Sequence, residues 1–283
     1  MKKRPDESLR GRLPRIGLAL GGGGARGFAH LGAVQALQEL GLPLYCVAGT
    51  SIGSIVGAVI ASNGIDRAIE WAHKPDWLKL PSLFLKLHVP KRALLSSERI
   101  GRFLCEMIAV KSFADLSMPF AAVATDLFSG ETVVMRDGDV HSAIRASMAI
   151  PGIFEPVSRG GRLLVDGGLT NPVPVDVCRE LGAERVIAIN INARAKCHTP
   201  PPISKLNLIT ILDQILTNVC DRTAKETFVT TRPDCVLNPT VADIMMLDFR
   251  GADKLIAIGY DCAMSHKAEL LRIMEPLDEG TKI

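Results

Sequence analysis

The sequence predicts an α/β fold: a single-domain three-layer sandwich with a mostly parallel central sheet and helices on both faces. Strand-like apolar runs alternate with helical patterns from Arg15 to Asn190, the order that builds a parallel sheet covered on both sides. Two glycine-rich turns, Gly21-Gly22-Gly23-Gly24-Ala25-Arg26-Gly27 and Gly49-Thr50-Ser51-Ile52-Gly53, each stand where a strand-like run passes into a helical one. Hydrophobic residues make up 47% of the 283 residues and aromatics only 5%, so the chain can bury a large, aliphatic core.

The first strand is expected at Arg15–Leu20, running into the first glycine turn. A helix follows, with Phe28, Leu31, Val34, Leu37 and Leu40 inward and Gln35, Gln38 and Glu39 outward. Gly41 stops it and Pro43 lies just beyond. A second strand at Leu44–Ala48 leads to the second turn. The helix after it carries an apolar stripe of Ile52, Ile55, Val56, Val59 and Ile60 beside small residues. No charge occurs from Leu40 to Ile65, and Gly49, Gly53 and Gly57 have the spacing of a transmembrane dimer face. Gly41, Pro43 and the Gly49-Thr50-Ser51 turn break that stretch, so it reads as a buried strand and a core helix.

Residues 64–119 interrupt the alternation with apolar residues such as Trp77 and Phe84 among basic ones such as Lys86 and Arg92. They read either as a lid or lipid-touching surface, or as ordinary helical covering. Further strands are expected at Phe120–Thr125, Thr132–Met135, Arg162–Val165 and Arg185–Asn190. A proline-rich loop at 198–204 precedes a helix from Leu206 to about Val229. The chain thus divides into a basic flexible tail (1–14) and one domain (15–283), motif-bearing over about 15–190 and helical over about 205–283.

Composition narrows the function. A net charge of +3, from 33 basic and 30 acidic residues, is too small to argue for nucleic acid. Seven cysteines with no C-x-x-C indicate neither a disulfide framework nor a zinc site, which fits a reducing cytosol. The basic tail precedes an apolar run too short for a signal peptide, because it dissolves into four glycines and Arg26. Such a tail could add attraction to anionic lipid; a solvated tail is the plainer reading. Gly22, Gly24 and Gly27 also fit the dinucleotide fingerprint, but the next strand ends without the carboxylate that would hold a ribose.

The two turns point to acyl transfer. Consecutive glycines let backbone N–H groups converge on an anion, and a G-x-S-x-G turn pushes its serine, Ser51, to the tip of a strained strand-to-helix corner. A serine needs a base. His198 and His266 come late but at no obvious sheet-edge turn; His30 stands in the first turn of the helix after the glycine loop, within reach of the site, and His141 begins the helix leading to Ser147. Among carboxylates, Asp126, Asp137 and Asp139 compete with Asp166, which ends a strand-like run at an expected carboxyl edge. Gly167 and Gly168 beside it permit close approach to another loop.

Four blocks in order carry a family resemblance: Gly22 to Gly27 with Arg26, Gly49-Thr50-Ser51-Ile52-Gly53, Ala146-Ser147-Met148-Ala149-Ile150-Pro151, and Asp166-Gly167-Gly168. The chain resembles the patatin-like phospholipases, of the compact bacterial sort related to neuropathy target esterase. The resemblance implies a patatin-like sandwich and a Ser–Asp dyad without catalytic histidine, Ser51 the nucleophile and Asp166 its base. It places the oxyanion at Gly22, Gly23 and Gly24, with Arg26 steadying that loop or helping the charge. Gly27, Gly49, Gly53, Ser147, Pro151, Gly167 and Gly168 support the motifs, Ser147 and Pro151 by shaping the pocket. Phospholipid or lysophospholipid esters are the implied substrates, with no cofactor or metal. The expected location is cytoplasmic, with peripheral contact at the inner membrane surface left open, as is oligomeric state. A soluble carboxylesterase or thioesterase, and a regulatory protein on the same fold, stay as alternatives.

Overall fold

The computed structural model describes residues 12–72, 108–194 and 207–277. Most of the 64–119 interruption, the proline-rich loop with His198, and residues 1–11 of the tail lie outside the described residues.

The strands are β1 (Ile16–Leu20), β2 (Leu44–Thr50), β3 (Phe120–Asp126), β4 (Thr132–Met135), β5 (Val157–Arg159), β6 (Arg162–Asp166), β7 (Arg185–Ile189) and β8 (Cys235–Leu237). Among the described residues they form one mixed sheet in the order β5-β6-β3-β2-β1-β7-β8, with β4 paired to β3. The pairs from β3 through β2, β1 and β7 to β8 are parallel, and those involving β4, β5 and β6 are antiparallel.

The helices are α1 (Phe28–Glu39), α2 (Ile52–Ala61), α3 (Ile65–Ala72), α4 (Val140–Ser147), α5 (Val175–Glu180), α6 (Leu208–Thr231), α7 (Ala252–Ser265) and α8 (Lys267–Ile273). Alternation along β1 sends Ile16, Leu18 and Leu20 into one core with α1, α2 and α7. Ala19 enters the other, with Val175 and Val177 of α5 and Ala224 of α6. The helices therefore cover both faces. Burial on α1 extends beyond the stripe expected to face inward, to Ala29, Gly32, Ala33 and Ala36, because α7 packs closely against the helix. A side chain at Gly32 would strike the Ile256 carbonyl, and one at Gly259 the Ala29 carbonyl.

One strand sets the geometry of the site. On β3, residues 120–123 pair with β2 and residues 124–126 with β6, while β4 takes positions 122–125. Because β4 overlaps both partners, β2 and β6 must share the opposite edge of β3, one after the other. Thr50 lies beside Val123 and Asp166 beside Ala124. Where β2 leaves the edge at Ser51, the end of β6 takes it over. Asp166 ends β6, which is not one of the parallel strands. Strand β6 is the return arm of the β5–β6 hairpin and runs antiparallel to β3, so its end meets the end of β2 from the other direction.

The tail also has a place. Arg12 and Arg15 both reach Glu184, just before β7, and so lie at the amino edge of the sheet, away from the glycine turns. Arg12 holds the Glu184 carboxyl down to about 2.

Candidate active site

Ser51 stands between β2 and α2 with φ 55° and ψ −123°, a conformation that a non-glycine residue adopts only where its surroundings impose it. The surroundings are polar and fully engaged. The Ser51 N–H donates to Ser147 Oγ at 2.9 Å, and Ser147 Oγ donates to the Val123 carbonyl at 2.5 Å. The Ser51 carbonyl accepts from Ser54 N–H at 2.9 Å and from Ser54 Oγ at 2.6 Å. Thr50 Oγ1 donates to the Asn171 carbonyl at 2.8 Å. Gly49 and Gly53 let the corner close, since a side chain at either would strike backbone, the Gly53 carbonyl and the Leu20 carbonyl respectively.

A small, partly open cleft lies over this corner. Ser51 and Asp166 both line it, with Gly22, Gly23 and Gly168, and its walls are Ile150, Leu169, Leu216, Cys220 and Met246. The structure thus brings together two residues far apart in sequence. Asp166 is buried. Its Oδ1 accepts from Gly168 N–H at 2.8 Å, while Oδ2 has no hydrogen-bond partner at regular geometry. Burial pushes the carboxyl up to about 6; the adjacent Ser51 hydroxyl and the Gly168 amide oppose the rise. The Ser51 hydroxyl therefore lies near enough to the Asp166 carboxyl to favour its ionised form, although no hydrogen bond of regular geometry joins Oδ2 to a partner.

The glycine loop forms the opposite wall. A Cβ at Gly22 would sit 3.2 Å from Ser51 Cβ, and one at Gly24, already at φ +59°, would strike the Met246 carbonyl. The Gly22 N–H is occupied by the Pro172 carbonyl at 3.1 Å. Of the three amides expected to hold an oxyanion, that of Gly22 is thus already engaged. Among the described residues no acceptor takes the Gly23 or Gly24 N–H.

Arg26 does not face the cleft. Its fully buried guanidinium donates to the Ile244 carbonyl (2.6 Å), Asn192 Oδ1 (2.9 Å), Thr217 Oγ1 (2.9 Å) and Asp213 Oδ2 (3.3 Å). Of the two roles expected, the geometry corresponds to steadying the loop, and the side chain is too committed to meet developing charge. Burial lowers its pKa, with Asp213 opposing.

The histidines are elsewhere. His30 Nε2 bonds the Gly21 carbonyl at 2.8 Å from behind the loop, and burial holds its pKa down to about 4, so the ring is neutral and donates. His141 bonds the Ile108 carbonyl, and His266 the Cys262 carbonyl. Of the rival carboxylates, Asp126 ties down its own turn through Phe128 and Ser129 N–H, and Asp139 caps α4. Asp137 projects to solvent beside Arg159. In the remaining block, Ile150 lines the cleft, Ser147 lies beneath Ser51, and Pro151 is half-buried outside the lining.

A sequence model of the patatin-like phospholipase family matches residues 18–179, more than half of the chain. The chain belongs to this family. The match spans both glycine turns, Ser147 and Asp166. An uncharacterized NTE family protein of Mycobacterium tuberculosis is 38% identical over 179 residues, 63% of this chain and 49% of that one. The human patatin-like phospholipase domain-containing protein 6 is 38% identical over 186 residues, 63% of this chain and 13% of the human protein. The chain therefore matches about half or less of these relatives' length. Among solved structures, VipD from Legionella pneumophila aligns with a TM-score of 0.50 over 93% of this chain and 69% of its own, at 14% identity, which speaks to fold alone. At the family level the chain stands with lipid hydrolases. No helix among the described residues is long and apolar enough to cross a membrane, and no cluster of potential metal ligands occurs among them.

Sequence reasoning missed the contribution of α6 (Leu216 and Cys220), of Met246, and of Asn192 and Asp213 behind the loop. None has a local signature; each arrives through tertiary packing.

Proposed function

We propose that this protein is a serine acyl hydrolase that cleaves carboxylic esters of phospholipids or lysophospholipids. In this reading residues 15–283 act as one catalytic unit. The observation that carries it is Ser51, on a strained corner, sharing one cleft with a buried carboxyl whose Oδ2 is unsatisfied.

Ser51 Oγ attacks the ester carbonyl while its proton passes to Asp166. A carboxylate at the ordinary value of 3.8 is a feeble base; one raised to about 6 is a better one and is still ionised at neutral pH. The tetrahedral oxyanion is met by amides on the glycine loop, with Gly23 and Gly24 N–H available. One such donor is typically worth about 2.7–4 kcal/mol. Asp166 then returns the proton to the leaving alcohol, and water repeats the sequence to release the fatty acid. Ile150, Leu169, Leu216 and Met246 offer an apolar wall that suits an acyl chain. Family membership supports the lipid class.

The test is direct. Purified protein should hydrolyse a short-chain nitrophenyl ester and a lysophospholipid presented in vesicles, and Ser51→Ala should abolish both. Turnover surviving in Ser51→Ala would end the reading. Turnover of the soluble ester alone would replace it with a carboxylesterase.

A further inference from the structure

We propose, on the reading that Ser51 is the acylated residue, that Asn192 is a positioning residue: it locks the Gly22–Gly23 peptide so that Gly23 N–H faces the cleft. In a trans peptide the C=O and N–H of one plane point in opposite directions, and no peptide here is cis. The Gly22 carbonyl accepts from Asn192 Nδ2 at 2.7 Å. Asn192 is buried and does not line the cleft, whereas Gly22 and Gly23 do. Holding the carbonyl toward Asn192 therefore turns the Gly23 N–H the other way, toward Ser51.

Flanking glycines make the clamp necessary. A peptide between two residues without side chains is the easiest in a chain to rotate, and rotation here would present a carbonyl oxygen to the oxyanion. The neighbouring Gly21–Gly22 peptide is fixed at both ends, by His30 on its carbonyl and by Pro172 on its N–H. The Gly22–Gly23 peptide is fixed at its carbonyl end only, which leaves one amide for a ligand.

Asn192 is itself oriented. Its Oδ1 accepts from Arg26 Nη1 at 2.9 Å and its N–H donates to Asn190 Oδ1 at 3.0 Å. Flipping the amide would set NH₂ against a guanidinium and oxygen against oxygen. Arg26 thus acts on the loop through Asn192, at one remove from the chemistry.

Asn192→Asp separates the roles, because it keeps an acceptor for Arg26 while replacing the donor to Gly22 with an oxygen that repels its carbonyl. We expect kcat on a short-chain ester to fall about 10- to 100-fold with KM nearly unchanged. Affinity for a trifluoromethyl ketone, which forms a tetrahedral adduct on serine, should fall by a similar factor. A folded Asn192→Asp protein with wild-type kcat and ketone affinity would overturn the proposal. In wild-type protein, where folding is not in question, the Gly23 amide proton should move downfield by NMR on ketone adduct formation while that of Gly22 stays. An unmoved Gly23 resonance in a formed adduct would also overturn it. Failure of Ser51 to react with the ketone at all, or activity persisting in Ser51→Ala, would instead remove the reading beneath the proposal.

Discussion

Two buried carboxylates near the glycine loop have opposite fates. Asp213 is saturated: Oδ1 accepts from Met246 N–H at 2.7 Å, and Oδ2 from Arg26 and Gln214. Asp166 has one amide bond, at Oδ1, and the Ser51 hydroxyl nearby, with no regular hydrogen bond at Oδ2. A carboxylate whose lone pairs are spent is a tie between segments, here α6, the loop near Met246, and Arg26 under the glycines. One left short of partners resists ionisation and can take a proton. Burial alone does not mark a candidate base; Asp166 adds unmet hydrogen-bonding capacity and a place in the cleft beside Ser51.

Substitution should break the two in different currencies. The largest effect is expected for Asp166→Asn, an activity loss of about 10²–10⁴-fold with the fold intact, since Asn can still accept from Gly168. Steady-state kinetics beside a denaturant melt checks both halves. Asp213→Ala should do the reverse. It strands the buried Arg26 guanidinium, at a cost of about 3–5 kcal/mol in chemical denaturation.

The pH dependence of stability sharpens the contrast. The Asp166 carboxyl titrates near 6 when folded against an ordinary 3.8, so the folded state binds the proton more tightly. Its contribution is fully present below the unfolded value and is lost as pH rises through about 6. Asp166→Asn should therefore gain stability relative to wild type between pH 4 and 6, with the gain level above that window. Melts at several pH values would reveal it. His30 runs the other way: held down to about 4, it costs stability as pH falls from 6.5 toward 4. The Asp166→Asn background isolates that slope. The smallest effect is expected for Ser147→Ala, which removes the acceptor of Ser51 N–H without touching the reacting atoms; kcat should drop by roughly 10-fold, measured on the same ester.

The sequence was informative where chemistry needs local pattern. Both glycine turns and Ser51 stand out because a tight corner and a close backbone approach leave short signatures, whereas an Asp-Gly-Gly turn is common and only the family resemblance gives Asp166 a role. Strand β4 matches its expected bounds and β6 ends one residue beyond its expected limit at Asp166. The direction of β6 was not legible, because apolar alternation is the same for either orientation and only the β5 hairpin decides it. Strands β5 and β8, each three residues long, are too short to carry a period. For Arg26 the sequence leaves loop-steadying and charge-helping roles equally open, because its four acceptors come from far along the chain. Asn192 was invisible for the same reason.

The most direct measurement is the pH profile of kcat/KM for an uncharged ester, in wild type and in Asp166→Asn. A single ionisation near pH 6 in wild type, with activity in the deprotonated form, and its disappearance together with most of the rate in Asp166→Asn, is the expected result. The same inflection at near-wild-type rate in Asp166→Asn would contradict the account, because another group would then be taking the proton from Ser51.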